Sequence, residues 1–296
     1  VELQGRLKSL QAQGLGLATV SYDSRDVIAA FAKQHGITFP MLADPGSETI
    51  KRYGILNTVV AEAFGPNRDD PAVKAEVRQY ISEGNPSPNM AGIAFPGTFL
   101  LDRRGRVTSR FFEDFYVERN TVASVLKRLG ITGEAVAGQK ITTEHLELTT
   151  YPSDAAVAPG NRFSVVLDIV PKRGMHVYAP GASGYRIVSL KIAEQPILRL
   201  LAPRYPASEI YHFKPLNERV PVYQRPFTLA QELVLEGDRQ SQAAYRGQDT
   251  LTINGTLEYQ ACDDKICYNP VSLPLSWTVS LRPLVLQRPS VAGQRP

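Results

Sequence analysis

Cysteine is scarce in this chain: Cys262 and Cys267 are the only two among 296 residues. At most one intrachain disulfide can form, and two thiols alone cannot complete a four-ligand zinc site. Long apolar runs are missing as well, and none approaches the roughly 20 residues that a bilayer-spanning helix needs. Charge of one sign is not in excess either. The formal net charge is +4, with Lys and Arg scattered rather than striped, which argues against nucleic-acid binding. The chain also opens without an initiator methionine or a signal peptide. Val1 (or Leu3), Leu7 and Leu10 fall at helical spacing with no capping residue ahead of them, and Gly14 offers a stop. The expectation is a fragment that starts inside a helix, its targeting signal lying upstream.

What is present suits a globular protein. The length favours two domains, each with its own core, and a hydrophobic fraction of 43% supplies the apolar residues to fill them. Residues 1–132 alternate helix and strand signals. Leu15-Gly-Leu-Ala-Thr-Val-Ser-Tyr22 is an apolar run suited to a buried parallel strand. Asp23 and Ser24 are cap types ahead of a helix with Val27, Ile28 and Phe31 on one face, ended by Gly36. Phe39-Pro-Met-Leu42 is extended, and Asp44-Pro45 places a cap and a first-turn proline before a short helix that runs to Tyr53. Residues 57–92 read as an insertion with one helix over 72–81. Arg103-Arg104-Gly105 between two apolar runs signals a hairpin, and a last helix spans 121–129. The order predicts an α/β domain whose single sheet is covered by helices on both faces.

Residues 133–143 read as a linker. From 144 to 284 the period changes to two. Leu251, Ile253, Leu257 and Tyr259 share one parity, as do Val271, Leu273, Leu275, Trp277, Val279 and Leu281. This predicts an all-β antiparallel sandwich with one solvated face per sheet. Residues 285–296 form a polar tail expected to fray.

Cys262 takes the even parity of its strand, the parity of the polar residues. Its sulfur is therefore expected to face solvent or a covering loop rather than the sandwich core. The Asp263-Asp-Lys-Ile266 connection brings Cys267 back within disulfide reach. Spacing leaves three readings open: a redox-active pair, an inert staple worth about 2 kcal/mol by the loop-entropy argument, or a metal site. The last would need further ligands such as His176 and His212, which lack ligand-like spacing.

The stretch Tyr259-Gln-Ala-Cys-Asp-Asp-Lys-Ile-Cys-Tyr-Asn-Pro270, with Gly174-Met-His-Val-Tyr178 and Val222-Tyr-Gln-Arg-Pro-Phe227 upstream, resembles the N-terminal periplasmic domain of the disulfide reductase DsbD. The resemblance implies an immunoglobulin-like sandwich in which Cys262 and Cys267 relay electrons from a membrane partner to periplasmic thiol proteins. It makes Cys262 the thiol that attacks partners, and Phe213, within residues 211–216, the cover over the pair. Tyr178 joins Phe213 as a partner-contacting residue. The cysteine loop is one residue shorter than the family's familiar form and the cap lacks acidic residues, which bears on partner identity.

Residues 1–132 resemble the redoxins of the peroxiredoxin and TlpA type, through Val20-Ser-Tyr-Asp23, Phe39-Pro-Met-Leu-Ala-Asp-Pro45, Tyr53-Gly-Ile55 and Phe95-Pro-Gly-Thr-Phe-Leu-Leu-Asp102. That implies a thioredoxin-like fold in which Pro96 is the cis-proline of the substrate-binding edge. The family's reactive cysteine begins the first helix, where the helix dipole lowers its pKa. Here it is expected upstream of Val1, leaving this domain silent as given. Together the resemblances imply an extracytoplasmic thiol-disulfide oxidoreductase whose sandwich exchanges electrons with its own redoxin domain, without cofactor or metal. A thiol peroxidase recharged by the sandwich and a non-enzymatic adaptor with a structural disulfide are the alternatives.

Overall fold

A computed structural model describes residues 2–83, 92–112, 119–128, 136–213 and 217–284. The first part of the chain contains α1 (Glu2–Ala12), β1 (Thr19–Ser21), α2 (Arg25–His35), β2 (Met41–Ala43), α3 (Glu48–Arg52), α4 (Thr58–Ala63), α5 (Pro71–Glu83), β3 (Gly97–Leu101), β4 (Val107–Phe112), β5 (Arg119–Asn120) and α6 (Val122–Arg128). Local chemistry sets these boundaries. The Ser24 side chain accepts from the Val27 amide to start α2, and Gly36 ends it at φ 61°. Asp102 Oδ1 accepts from the amides of Arg104 and Arg106 and so fixes the β3–β4 turn.

β1 and β2 pair in parallel and β3 and β4 antiparallel, as the connection pattern requires. Among the described residues the two pairs stand as separate two-stranded sheets rather than as the single sheet expected. Among the described residues no strand bridges the other edges of β1 and β3. The run over 15–22 also contributes only three residues to β1, because its partner β2 is itself three residues long. Asp44 caps α3 as expected in kind, but through the Ile50 amide at 2.9 Å, and the helix begins at Glu48 rather than at Pro45. The helix over 72–81 is α5, whose bounds are slightly wider.

The rest of the chain is almost all strand: β6 (Gln139–Thr142), β7 (Leu146–Pro152), β8 (Ala156–Val157), β9 (Asn161–Pro171), β10 (His176–Tyr178), β11 (Ser189–Ile192), β12 (Leu198–Leu200), β13 (Glu209–Phe213), β14 (Glu218–Tyr223), β15 (Phe227–Leu235), α7 (Arg239–Ala244), β16 (Thr250–Tyr259), β17 (Ala261–Cys262) and β18 (Val271–Leu281). One sheet has the order β12-β15-β9-β7-β6, a second β11-β16-β18-β8, and a third β13-β14-β10-β17. The first two face each other as a β-sandwich-like domain. Their shared core holds Leu148, Phe163, Leu167, Leu233, Ile253, Leu257, Tyr259 and Trp277. Period two decides which residues enter it: Leu251, Ile253, Leu257 and Tyr259 are buried while Thr250, Thr252 and Asn254 between them are exposed. The indole N–H of Trp277 donates to Thr150 Oγ1 at 2.8 Å, which meets the one polar need of a buried tryptophan.

Two boundaries differ from expectation. Four of the eleven residues of the predicted linker form β6, which pairs with β7 from Gln139↔Thr150 to Thr142↔Glu147. Ile141 is its only apolar residue, so an edge strand with one inward side chain left no period to read. Residues 129–135, which include the start of that linker, lie outside the described residues, as do 285–296. The helix expected to close the first domain, α6, packs instead on β9, and β5 pairs with β9 in parallel.

Candidate functional site

The third sheet presents one face to the sandwich core and the other to a small separate cluster. Antiparallel pairing sets the division. Val177 lies opposite Ala261, and both enter the main core. His176 lies opposite Cys262 and Tyr178 opposite Val222, so these four turn to the other face. There Cys262, Tyr178, Val220 and Val222 are buried together, with Ala182, Tyr185 and Tyr211 packed against them.

Cys262 and Cys267 are disulfide-bonded and also paired as a backbone bridge, which makes the loop a closed tight hairpin. Its turn is set by Asp263, whose Oδ1 accepts from the amides of Lys265 and Ile266, each at 2.7 Å. Oδ2 of the same carboxylate accepts from the Tyr268 hydroxyl at 3.0 Å. These bonds, the Ile266 amide first, hold the Asp263 carboxyl below its usual pKa. Gln260 ties the two legs together: its Nε2 donates to the Tyr268 carbonyl and its Oε1 accepts from the Arg186 amide, both at 3.0 Å.

The two sulfurs differ sharply in access. Cys262 is 1% exposed, whereas Cys267 lies in the exposed stretch of the loop. Next to Cys267, Ile266 is 56% exposed, a large apolar side chain held out to solvent by the Asp263 turn. The Tyr178 hydroxyl sits between the sulfurs, 3.1 Å from Cys262 Sγ and 3.3 Å from Cys267 Sγ. Burial above all, then the neighbouring Tyr185 and the Glu218 carboxylate, push the Tyr178 phenol well above its ordinary pKa, so it is a hydroxyl at neutral pH. The ring of Tyr185 stacks on it at 3.9 Å, and the Tyr185 hydroxyl donates to Glu218 Oε2 at 2.6 Å. His176 tilts against Tyr211 at 4.4 Å, and burial lowers its pKa, opposed only in part by Asp263.

The predicted residues fall as follows. Cys262, Cys267 and Tyr178 come together. Phe213 ends β13 on the same face as Tyr211, opposite Glu218, and Tyr211, not Phe213, is among the side chains packed against the cluster that holds Cys262; residues 214–216 lie outside the described residues. Pro96 precedes β3, in a sheet not joined to the cysteine sheet. Its peptide bond is trans, not the cis bond expected. The Phe95 amide donates to the Ile55 carbonyl and Ala94 bridges Leu56, so the chain enters β3 extended, where the trans form is the favoured one. His176 and His212 do not converge. His212 points from the opposite face of β13, with its Nε2 3.1 Å from Asn217 Oδ1, and no cluster of metal-ligating side chains occurs among the described residues.

Tyr185, Tyr211, Glu218 and Asp263 were not singled out from sequence. Asp263 carried a signal, since an aspartate two and three residues before amides in a short loop favours a side-chain-capped turn. Tyr185 and Glu218 carried none, because their convergence depends on strand register.

Comparison with known proteins finds two family matches in separate stretches of the chain. Residues 1–110 match the AhpC/TSA family, and residues 148–273 match the family described as thiol:disulfide interchange protein DsbD, N-terminal. No curated protein matches. Among solved structures, the N-terminal periplasmic domain of ScsB from Proteus mirabilis is 14% identical, with a TM-score of 0.34, covering 48% of this chain and 51% of that one. The CooA pilin subunit of enterotoxigenic Escherichia coli is 13% identical with a TM-score of 0.16, covering 44% and 92%. The chain thus spans about half the length of the ScsB domain it matches.

Proposed function

We propose that this protein is an extracytoplasmic thiol-disulfide oxidoreductase in which Cys262 and Cys267 relay electrons between thiol proteins. The redoxin and DsbD-type matches support a thiol-disulfide redox role for the chain. The observation that carries the finer reading is the unequal access of the two sulfurs under one shared hydroxyl. An incoming partner thiolate meets Cys267 Sγ. A sulfur–sulfur bond forms there, the Cys262–Cys267 bond breaks, and its electron pair leaves on Cys262 Sγ, against the Tyr178 hydroxyl. A charge-assisted hydrogen bond from a neutral phenol favours that leaving thiolate in a buried site. The geometry therefore favours Cys267, not Cys262, as the sulfur that bonds to partners, with Cys262 as the resolving thiol.

Two thiol proteins suffice as reactants, and no cofactor enters the step. A membrane electron donor on one side and the redoxin part of the same polypeptide on the other fit the paired domain types. No described helix is long and apolar enough to cross a membrane, so a membrane donor would be another protein or another segment. The disulfide itself suits an oxidising compartment outside the cytoplasm.

Trapping tests the reading. Cys262→Ser should accumulate mixed disulfides through Cys267 when the reduced protein meets oxidised partners, and Cys267→Ser should not. Equal trapping by both variants would refute the assignment. The reduction potential separates the relay from an inert staple, since a structural bond would lie below about −300 mV.

A further inference from the structure

Cys262 poses a problem that the relay itself does not solve. To resolve a mixed disulfide on Cys267, the Cys262 thiol must lose its proton before or as it attacks. At 1% exposure it has almost no water to take that proton. Its hydrogen-bond partner is the Tyr178 hydroxyl at 3.1 Å, itself buried. Tyr185 stacks on Tyr178, with ring centroids 3.9 Å apart and 13° from parallel, close enough that each phenol shifts the titration of the other. Tyr185 then donates to Glu218 Oε2 at 2.6 Å, and both of these residues are partly open to solvent.

We infer that Tyr178, Tyr185 and Glu218 form a proton path from the buried Cys262 sulfur to solvent, with the Glu218 carboxylate as its terminal acceptor. The inference rests on the relay reading above. In the resolving step the Cys262 proton passes to the Tyr178 oxygen, the Tyr178 proton to Tyr185, and the Tyr185 proton to Glu218. Cys262 Sγ bonds to Cys267 Sγ, the bond from Cys267 to the partner breaks, and the electron pair leaves on the partner sulfur. In the reverse direction the same path returns a proton to the leaving Cys262 thiolate. Tyr178 touches the reacting sulfur and is the catalytic member; Tyr185 and Glu218 act through it.

Other titratable groups border the cluster: His176 on β10, Glu209 and Tyr211 on β13, and Asp263, Lys265 and Tyr268 on the loop. Glu209 is engaged with Arg225 at 2.8 Å, and Asp263 with two loop amides and Tyr268. His176 is the rival acceptor, since it lies opposite Cys262 in register, though no hydrogen bond joins it to either sulfur.

Reduced chain mixed with oxidised glutathione reads the two steps separately, as formation and then loss of the Cys267–glutathione adduct, followed by mass spectrometry from pH 6 to 9. Glu218→Gln and Tyr185→Phe should leave adduct formation unchanged and slow its resolution about tenfold near pH 6–7. The effect is smaller than for most general bases because a free thiol already ionises to a few per cent at pH 7. The difference should close towards pH 9, where the thiolate forms without help, and Glu218→Asp should restore most of the rate. His176→Gln should resolve at the normal rate. Resolution at the wild-type rate in Glu218→Gln at every pH, or a loss confined to His176→Gln, overturns the path. Tyr185→Phe keeps the ring stack, and Trp277 fluorescence reports whether each variant is folded. Failure of Cys262→Ser to accumulate any Cys267 adduct would instead sink the relay reading, and is thus distinguishable.

Discussion

Asp263 shows how one side chain shapes the cysteine loop. Its carboxylate accepts from two loop amides and from the Tyr268 hydroxyl, and so fixes the turn that leaves Ile266 and Cys267 open to solvent. Asp263→Ala should speed hydrogen exchange at the Lys265 and Ile266 amides while leaving the amides of β16 protected. The pH dependence has a definite sign. The folded-state pKa of Asp263 is lowered, so its contribution is fully present above the unfolded value of 3.8 and is lost as pH falls through the lower folded value. Exchange at those two amides should therefore be slow at pH 5 and approach that of the alanine variant under strong acid. Equal protection of the Ile266 amide in the wild type and the variant at pH 5 would show that the disulfide alone shapes the loop. Ile266 makes a separate claim at this scale. As an exposed apolar side chain beside Cys267, it would anchor partners under the proposed relay, so Ile266→Ser should weaken partner trapping without changing exchange with glutathione.

At the scale of the elements, β16 is the hub of the second sheet, between β11 and β18. Gly255 lies opposite Ile192 of the neighbouring β11, and a Cβ there would come 2.8 Å from the Lys191 carbonyl oxygen and 3.1 Å from both Ile192 Cδ1 and Trp277 Cζ3. Backbone cannot yield as a flexible side chain does, so Gly255→Ala should cost about 1–3 kcal/mol by overpacking. Ile253→Ala, which empties space in the same core, should cost about 2–5 kcal/mol. Denaturant titration followed through Trp277, the chain's one tryptophan, checks both values. The strands that fill this core were legible in the sequence because burial on one face leaves a period of two, as Leu251 to Tyr259 shows. The face of Cys262 was legible for the same reason. What pattern could not supply was register: that Tyr178 meets both sulfurs, that Tyr185 stacks on it, and that Glu218 ends the row. Nor could pattern place β6, which buries one apolar residue, or β5, which is two residues long. Pro96 shows the opposite error, since a motif implied a backbone isomer that the extended entry into β3 does not use.

For the whole molecule, the question is what ties α6 and the chain's opening helix to the sandwich. Asp154, in the turn after β7, is 2% exposed. One oxygen accepts from Thr121 at 2.8 Å and from Ser153 at 2.7 Å, while Oδ1 has no partner among the described residues. Nearby, Glu2 of α1 pairs with Arg282, which also reaches Asn161 Oδ1 at 3.1 Å. Burial raises the Asp154 pKa, opposed by the hydrogen bonds from Ser153 and Thr121; Glu2 adds to the rise and Arg6 reduces it. A raised carboxyl pKa has the opposite consequence to that of Asp263. The junction is most stable below the unfolded value of 3.8 and weakens as pH rises through the raised folded value, because the charged form is the costly one to bury. Asp154→Asn removes the charge at similar volume. Relative to the wild type it should therefore gain stability progressively as pH rises from 4 to 8, and the Thr121–Val125 amides should be the ones whose exchange slows. A difference between the two proteins that stays flat over that range would mean that the junction is held by apolar contacts such as Val125 and Leu126 and is indifferent to the carboxyl. A difference that grows with pH would make the junction itself pH-sensitive, tighter in acid and looser at neutral pH, where the buried carboxyl is charged.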